Sequence, residues 1–268
     1  MRIKTPGEML GASMDAARVK VDKTLKNPGR LFVAAIAAGA FIAMGGILSL
    51  TVGFGFPGIA AANPALAKLL AGCMFPIGLI LVVVLGAELF TGNNAMLIPA
   101  YMQRHYGAGA VLANWGLVYS GNFVGALGFT WLLVYLPGLT VADPWHTAIC
   151  NIGVAKISMG WTTVLLKGIG ANWFVCLGVW LALAGHNLME KALGCWLPVM
   201  AFVVLGYEHC IANMFYLPLA MMEGAGIGVV EALCDNLLPA TIGNIIGGAV
   251  FVGMAHWYLH RTPGRSNA

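Results

Sequence analysis

Four ionisable side chains fall inside apolar stretches long enough to cross a bilayer: Glu88, Lys167, Glu208 and His209. A charge at that depth costs about 2.5–3.5 kcal/mol even on lenient insertion scales, so such residues are functional by default and usually paired. The imidazole of His209 is the side chain that trades a proton near neutral pH. Lys167 suits either a salt bridge to a glutamate or the lining of an anion pathway. Glu88 and Glu208 each stand just before a segment able to restart a helix, with Asn93 and Asn213 five residues further on. At such a position a carboxylate or amide serves as a helix cap, accepting backbone N–H bonds. These groups suit the passage of a small charged solute with proton exchange. No metal spacing, phosphate loop or nucleophile motif accompanies them, and neither a metal nor a cofactor is expected.

Of the 268 residues, 60% are hydrophobic and only 9% charged, with a mean hydropathy of +0.85. A soluble domain carries about a quarter charged residues, which excludes an ordinary cytosolic protein; a disordered chain is excluded as well. The 36 glycines suit close helix packing in a membrane. Six cysteines without CxxC spacing read as buried inert thiols. The net charge of +4 follows from membrane topology and implies no nucleic-acid partner.

Six apolar stretches are expected to span the bilayer, at 31–54, 67–101, 111–136, 157–184, 193–222 and 237–259. Eleven of the 14 basic residues fall on one side, with only Lys68 and Lys156 in loops on the other. The positive-inside rule then places both termini in the cytoplasm of a cell membrane. Residues 1–30 read as an amphipathic surface helix and 31–260 as the pore domain. Residues 261–268 form a short cytoplasmic tail. Thr5-Pro6-Gly7-Glu8 fits a capping box, and Leu10, Met14, Ala17, Val21 and Leu25 form an apolar stripe. That helix is an anchor or a movable plug over a pore mouth.

The chain repeats itself. Val83-Val84-Leu85-Gly86-Ala87-Glu88 returns 120 residues later as Val203-Val204-Leu205-Gly206-Tyr207-Glu208, and Asn93 returns as Asn213. Gly121-Asn122-Phe123-Val124-Gly125 returns 122 residues later as Gly243-Asn244-Ile245-Ile246-Gly247, with Asn114 matching Asn236. Two three-span units must insert with opposite polarity, an inverted-topology repeat. The long second and fifth stretches are broken by polar residues at equivalent positions. Non-helical backbone at membrane depth is tolerated only where protein or a wet cavity satisfies it, so a chamber near the midplane is expected. The fold class expected is an all-α membrane protein: six transmembrane helices as an inverted 3+3 repeat with broken second and fifth helices.

Glu88-Leu89-Phe90-Thr91-Gly92, the run from Gly206 to Met214, and Asp235 to Asn244 resemble the signature segments of the formate/nitrite transporter family. The resemblance covers essentially the whole chain. It implies an aquaporin-like protomer in a homopentamer, in contact with membrane lipid, with one pore per protomer. It also implies a gating threonine at Thr91, a central histidine at His209, an asparagine beside it at Asn172, and a fourth-span lysine at Lys167. Apolar constrictions would lie at Phe75 and Phe202 toward the outside, and at Leu79, Leu89 and Phe90 toward the inside. The expected function is a channel for a small monovalent anion of a weak acid, formate first, nitrite or hydrosulfide as alternatives. The anion would take a proton from His209, cross as the neutral acid, and release it. A membrane redox protein binding haem or quinone is the rival class; it needs several deep histidines, and only His209 is clearly deep.

Overall fold

The computed structural model describes residues 2–261, all of them in helices, turns or loops. The expected tail 261–268, Arg265 included, lies outside the described residues beyond Arg261. Among the described residues, six helical segments are long and apolar enough to cross a membrane: Pro28–Phe54, Pro64–Leu85, Ala108–Tyr135, Trp161–Ala184, Leu188–Leu205 and Val229–His260.

The first repeat begins with α1 (Pro6–Lys26), followed by α2 (Pro28–Phe54). The short α3 (Pro57–Ala62) leads into the second span, α4 (Pro64–Met74) and α5 (Ile77–Leu85). Past the break come α6 (Phe90–Met96) and α7 (Ile98–Met102), then α8 (Ala108–Phe129). The second repeat opens with α9 (Trp145–Ile157) and α10 (Trp161–Ala184). Next are α11 (Leu188–Leu205), the break, and α12 (Cys210–Met222). The short α13 (Val229–Glu231), α14 (Leu238–Gly248) and α15 (Ala255–His260) complete the last span. Both third spans contain π-helix, at Thr130–Tyr135 in the first repeat and at Ala232–Leu237 and Ala249–Met254 in the second.

Glycine sets the tightest helix contacts. A methyl group on Gly125 would run into the Ile36 carbonyl, and one on Gly247 into the Ile169 carbonyl. These glycines are the reason α8 lies directly on α2, and α14 on α10. Both contacts are the GxxxG faces read in the sequence.

Two elements differ from expectation. The fourth span starts at Trp161, because the extended backbone of Gly160 separates it from α9. Lys156 therefore sits in the last turn of a helix and not in a loop. In α1 the capping box is present: Thr5 and Glu8 exchange bonds, and these with Arg2 hold the Glu8 carboxyl down at about 2. Its apolar stripe, however, packs on the protein itself. Ala17 and Val21 join Leu97, Ala100 and Val111, while Leu25 is exposed. A helix with its apolar face already satisfied has little left to bury in lipid.

Candidate functional site

Each broken helix ends the same way. α5 stops at Gly86 and α11 at Gly206, both in the left-handed region that glycine adopts without strain. The next three residues run extended, and α6 and α12 then begin. One asparagine from each third helix satisfies that exposed backbone. Asn122 accepts from the Phe90 N–H at 2.9 Å and donates to the Ala35 and Glu88 carbonyls, each at 2.8 Å. Asn244 accepts from the Cys210 N–H at 2.8 Å and donates to the Gly168 and Glu208 carbonyls at 2.8 and 2.9 Å. Both amides are fully buried, and every bond one makes has its counterpart in the other repeat.

The carboxylates do not cap the half-helices as expected. Glu88 accepts from the Lys20 ammonium at 2.6 Å and from Asn93 at 3.1 Å; Asn93 also donates to Asn114, and Asn114 to Thr24. Glu208 accepts from Lys156 at 2.9 Å through both oxygens, from Asn213 at 2.7 Å and from Asn236 at 3.1 Å. A buried carboxylate takes an ammonium and two amides in preference to backbone N–H groups, because only a countercharge offsets its desolvation. Asn93 and Asn213 likewise serve the carboxylates and not the helix ends. The cap of α12 is His209 itself, whose Nδ1 accepts from the Ala212 N–H at 3.1 Å.

That bond fixes the histidine tautomer. With Nδ1 accepting, the neutral ring carries its proton on Nε2, which lies 3.0 Å from Thr91 Oγ1 and donates to it. The hydrogen of the Thr91 hydroxyl is left for another acceptor. Asn172, also fully buried, donates to the carbonyls of Thr91 at 3.1 Å and Asn244 at 2.6 Å, tying the two halves together behind this pair.

Two cavities approach the His209–Thr91 pair from opposite ends. The one under α9, about 400 Å³, is walled by Lys156, Glu208, Asn213, Phe75, Phe202 and His209. Phe75 and Phe202 meet edge to face at 5.7 Å, and Phe202 stacks on the His209 ring at 5.9 Å. The one under α1, about 420 Å³, reaches in past Lys20 and Glu88 to Leu79 and Leu89. Phe90 lines neither; it is buried against Trp115 and Tyr119. Lys167 lines neither as well, and among the described residues its ammonium meets only the Met159 sulfur, at 3.4 Å. The lysine that reaches Glu208 is Lys156, in the last turn of α9. Lys20, Asn114, Asn122, Asn236 and Asn244 were also unassigned, though all four asparagines already stood out as repeat matches. Among the described residues no cluster of three or more histidine, cysteine or acidic side chains could hold a metal.

The family model described as formate/nitrite transporter matches residues 8–258. The chain belongs to this family. Its members are channels and transporters, not enzymes, and that sets aside the haem or quinone reading. A probable formate transporter of Methanothermobacter thermautotrophicus is 35% identical over 272 residues, covering 96% of this chain and 97% of that one. Among solved structures, an FNT family ion channel superposes with a TM-score of 0.85 at 29% identity, over 96% of this chain and 99% of the other. A pentameric formate channel with formate bound gives a TM-score of 0.76 at 30% identity, over 88% and 98%. The formate/nitrite transporter fold is thus the aquaporin-like inverted repeat, here in a multi-pass membrane protein.

Proposed function

We propose that this family member conducts small monovalent anions of weak acids, formate foremost, through the path joining the two cavities. The observation that carries the reading is a single histidine–threonine pair between two apolar necks, each fronted by a lysine–glutamate pair. An isolated anion in an apolar neck is very unfavourable, whereas its neutral acid is not. The lysines and the positive ends of the half-helices draw the anion in. At the neck it meets the Thr91 hydroxyl and His209, takes a proton, and crosses as the acid. His209 becomes a proton donor only after Nδ1 releases the Ala212 amide, so protonation of the ring and loosening of the α12 start are one event.

The formate named in both the relative and the bound structure favours that substrate. Nitrite and hydrosulfide have the same charge and similar size. The pentameric neighbour supports a homopentamer with one path per protomer. The basic residues around α1 support a cytoplasmic orientation of that face and of both termini in the cell membrane.

Counterflow in proteoliposomes with the three anions ranks the substrates, with formate expected fastest. His209→Asn removes proton exchange and flattens the pH dependence of formate flux. An unchanged pH profile in that variant would refute the proton-donor role.

A further inference from the structure

The two cavities repeat the lysine–glutamate–asparagine set but not the total charge. Under α9 the wall carries Lys68 and Lys156 against Glu208. Under α1 it carries Lys4, Lys20, Lys23 and Lys191 against Glu88. Lys20 takes Glu88. The other carboxylates of that face are engaged: Glu8 with Arg2, Asp15 with Arg18, and Asp22 with Lys26. Glu190 is turned onto the His186 N–H at 2.6 Å and the Asn187 side-chain amide at 2.7 Å. Lys4 gives its ammonium to the Leu183 carbonyl at 2.7 Å, which leaves its charge unbalanced. Neither Lys23 nor Lys191 has a carboxylate within salt-bridge distance among the described residues.

Three uncompensated ammoniums thus share one cavity of about 420 Å³, a volume within the roughly 300–1,000 Å³ of small-ligand sites. Transport of a monovalent anion explains what both repeats share. It does not explain a surplus of three at this end against one, Lys68, at the other, since a passing monoanion balances only one charge. We infer that the cavity under α1 binds a compact phosphate-bearing polyanion, and that its occupancy plugs the path from that side. The plugging rests on the channel reading given above, while the binding stands without it.

Pyrophosphate is the probe. Equilibrium dialysis of labelled pyrophosphate against the full chain in detergent without anionic lipid should show saturable binding, one per chain, weakening as salt screens the lysines. In proteoliposomes it should block formate flux when applied from the α1 side alone, with orthophosphate weaker. Lys23→Gln/Lys191→Gln should raise the half-saturating concentration about tenfold or more, the size expected for lost charge-assisted hydrogen bonds. Lys191→Gln alone should give an intermediate rise, and Lys26→Gln, whose ammonium is held by Asp22, none. Half-blocking concentrations are read against each variant's own flux. Absence of saturable binding, or equal binding by the double variant, would overturn the inference. It is overturned equally if phosphatidylglycerol in the vesicles reduces flux without pyrophosphate and the double variant restores it, because the lysines then serve lipid headgroups. Saturable binding by a wild-type chain that passes no formate would sink the channel reading and leave this site intact.

Discussion

Asn244→Ala should be among the most damaging substitutions in the chain, although Asn244 touches neither cavity. The amide makes three bonds of 2.8–2.9 Å to backbone groups on two helices, with no solvent exposure. At the roughly 0.6 kcal/mol averaged by polar contacts in membrane proteins, their loss alone costs about 2 kcal/mol. Alanine also strands the Cys210 N–H and the Glu208 carbonyl in a place water does not reach, at about 1–3 kcal/mol each, while the Gly168 carbonyl keeps its bond within α10. The total is therefore at least about 4 kcal/mol, or a Tm lower by about 8 °C or more at roughly 2–4 °C per kcal/mol. Asn122→Ala should cost the same within error, since it deletes the same three bonds in the other repeat. Thermal unfolding of purified protein followed by size exclusion reads the shift, and formate flux should fall with it as His209 and Thr91 lose register. A Tm within 1 °C of the parent for either variant would show that the asparagines do not hold the breaks, on about the scale at which ordinary surface changes fall.

Lys156→Gln leaves Glu208, only 4% exposed at its side chain, without its cation. Stability should drop by about 3–5 kcal/mol, and Lys156→Gln/Glu208→Gln should recover most of it in the same thermal assay. The docking of α1 should weaken in acid. Arg18 donates to His105 Nδ1 at 2.7 Å, and burial first, then the Arg18 charge, push His105 below its usual 6.5. A base with a depressed folded pKa contributes fully above about 6.5, and that contribution is lost as pH falls through 6.5 toward the folded value. Hydrogen exchange of α1 amides, corrected for intrinsic rates, should quicken between pH 7.5 and 5.5 in the parent and not in His105→Gln.

How far the sequence carried depends on which offset the repeat kept. Glu88 with Glu208 is 120 apart and Asn122 with Asn244 is 122, so these matches are visible in the chain itself. The structure pairs Ala35 with Gly168 as acceptors for those asparagines, an offset of 133, and Lys20 with Lys156 as partners of the glutamates, an offset of 136. Connections of unequal length between surface helix and spans absorb the difference, and pattern matching at one fixed offset passes over both. That is why Lys167, already at membrane depth, suits a salt bridge to a glutamate on sequence alone and the lysine at the end of α9 does not. Phe90 departs from expectation for a local reason: extended Leu89 faces the cavity, whereas Phe90 opens α6 and packs on Trp115 and Tyr119.

The centre is where the symmetry fails, and the failure is informative. Shifted by 120 residues, His209 falls on Leu89 and Thr91 on Ile211. Each break therefore supplies one member of the histidine–threonine pair and one aliphatic residue, and the hydrogen bond between His209 and Thr91 crosses from one repeat to the other. A strictly symmetric chamber would hold two imidazoles, which repel once charged, or two leucines, which offer a solute no polar contact at all. One imidazole facing one hydroxyl avoids both outcomes. The duplicated scaffold thus fixes two matching approaches, and the two positions where the copies diverge put a single imidazole at their meeting point.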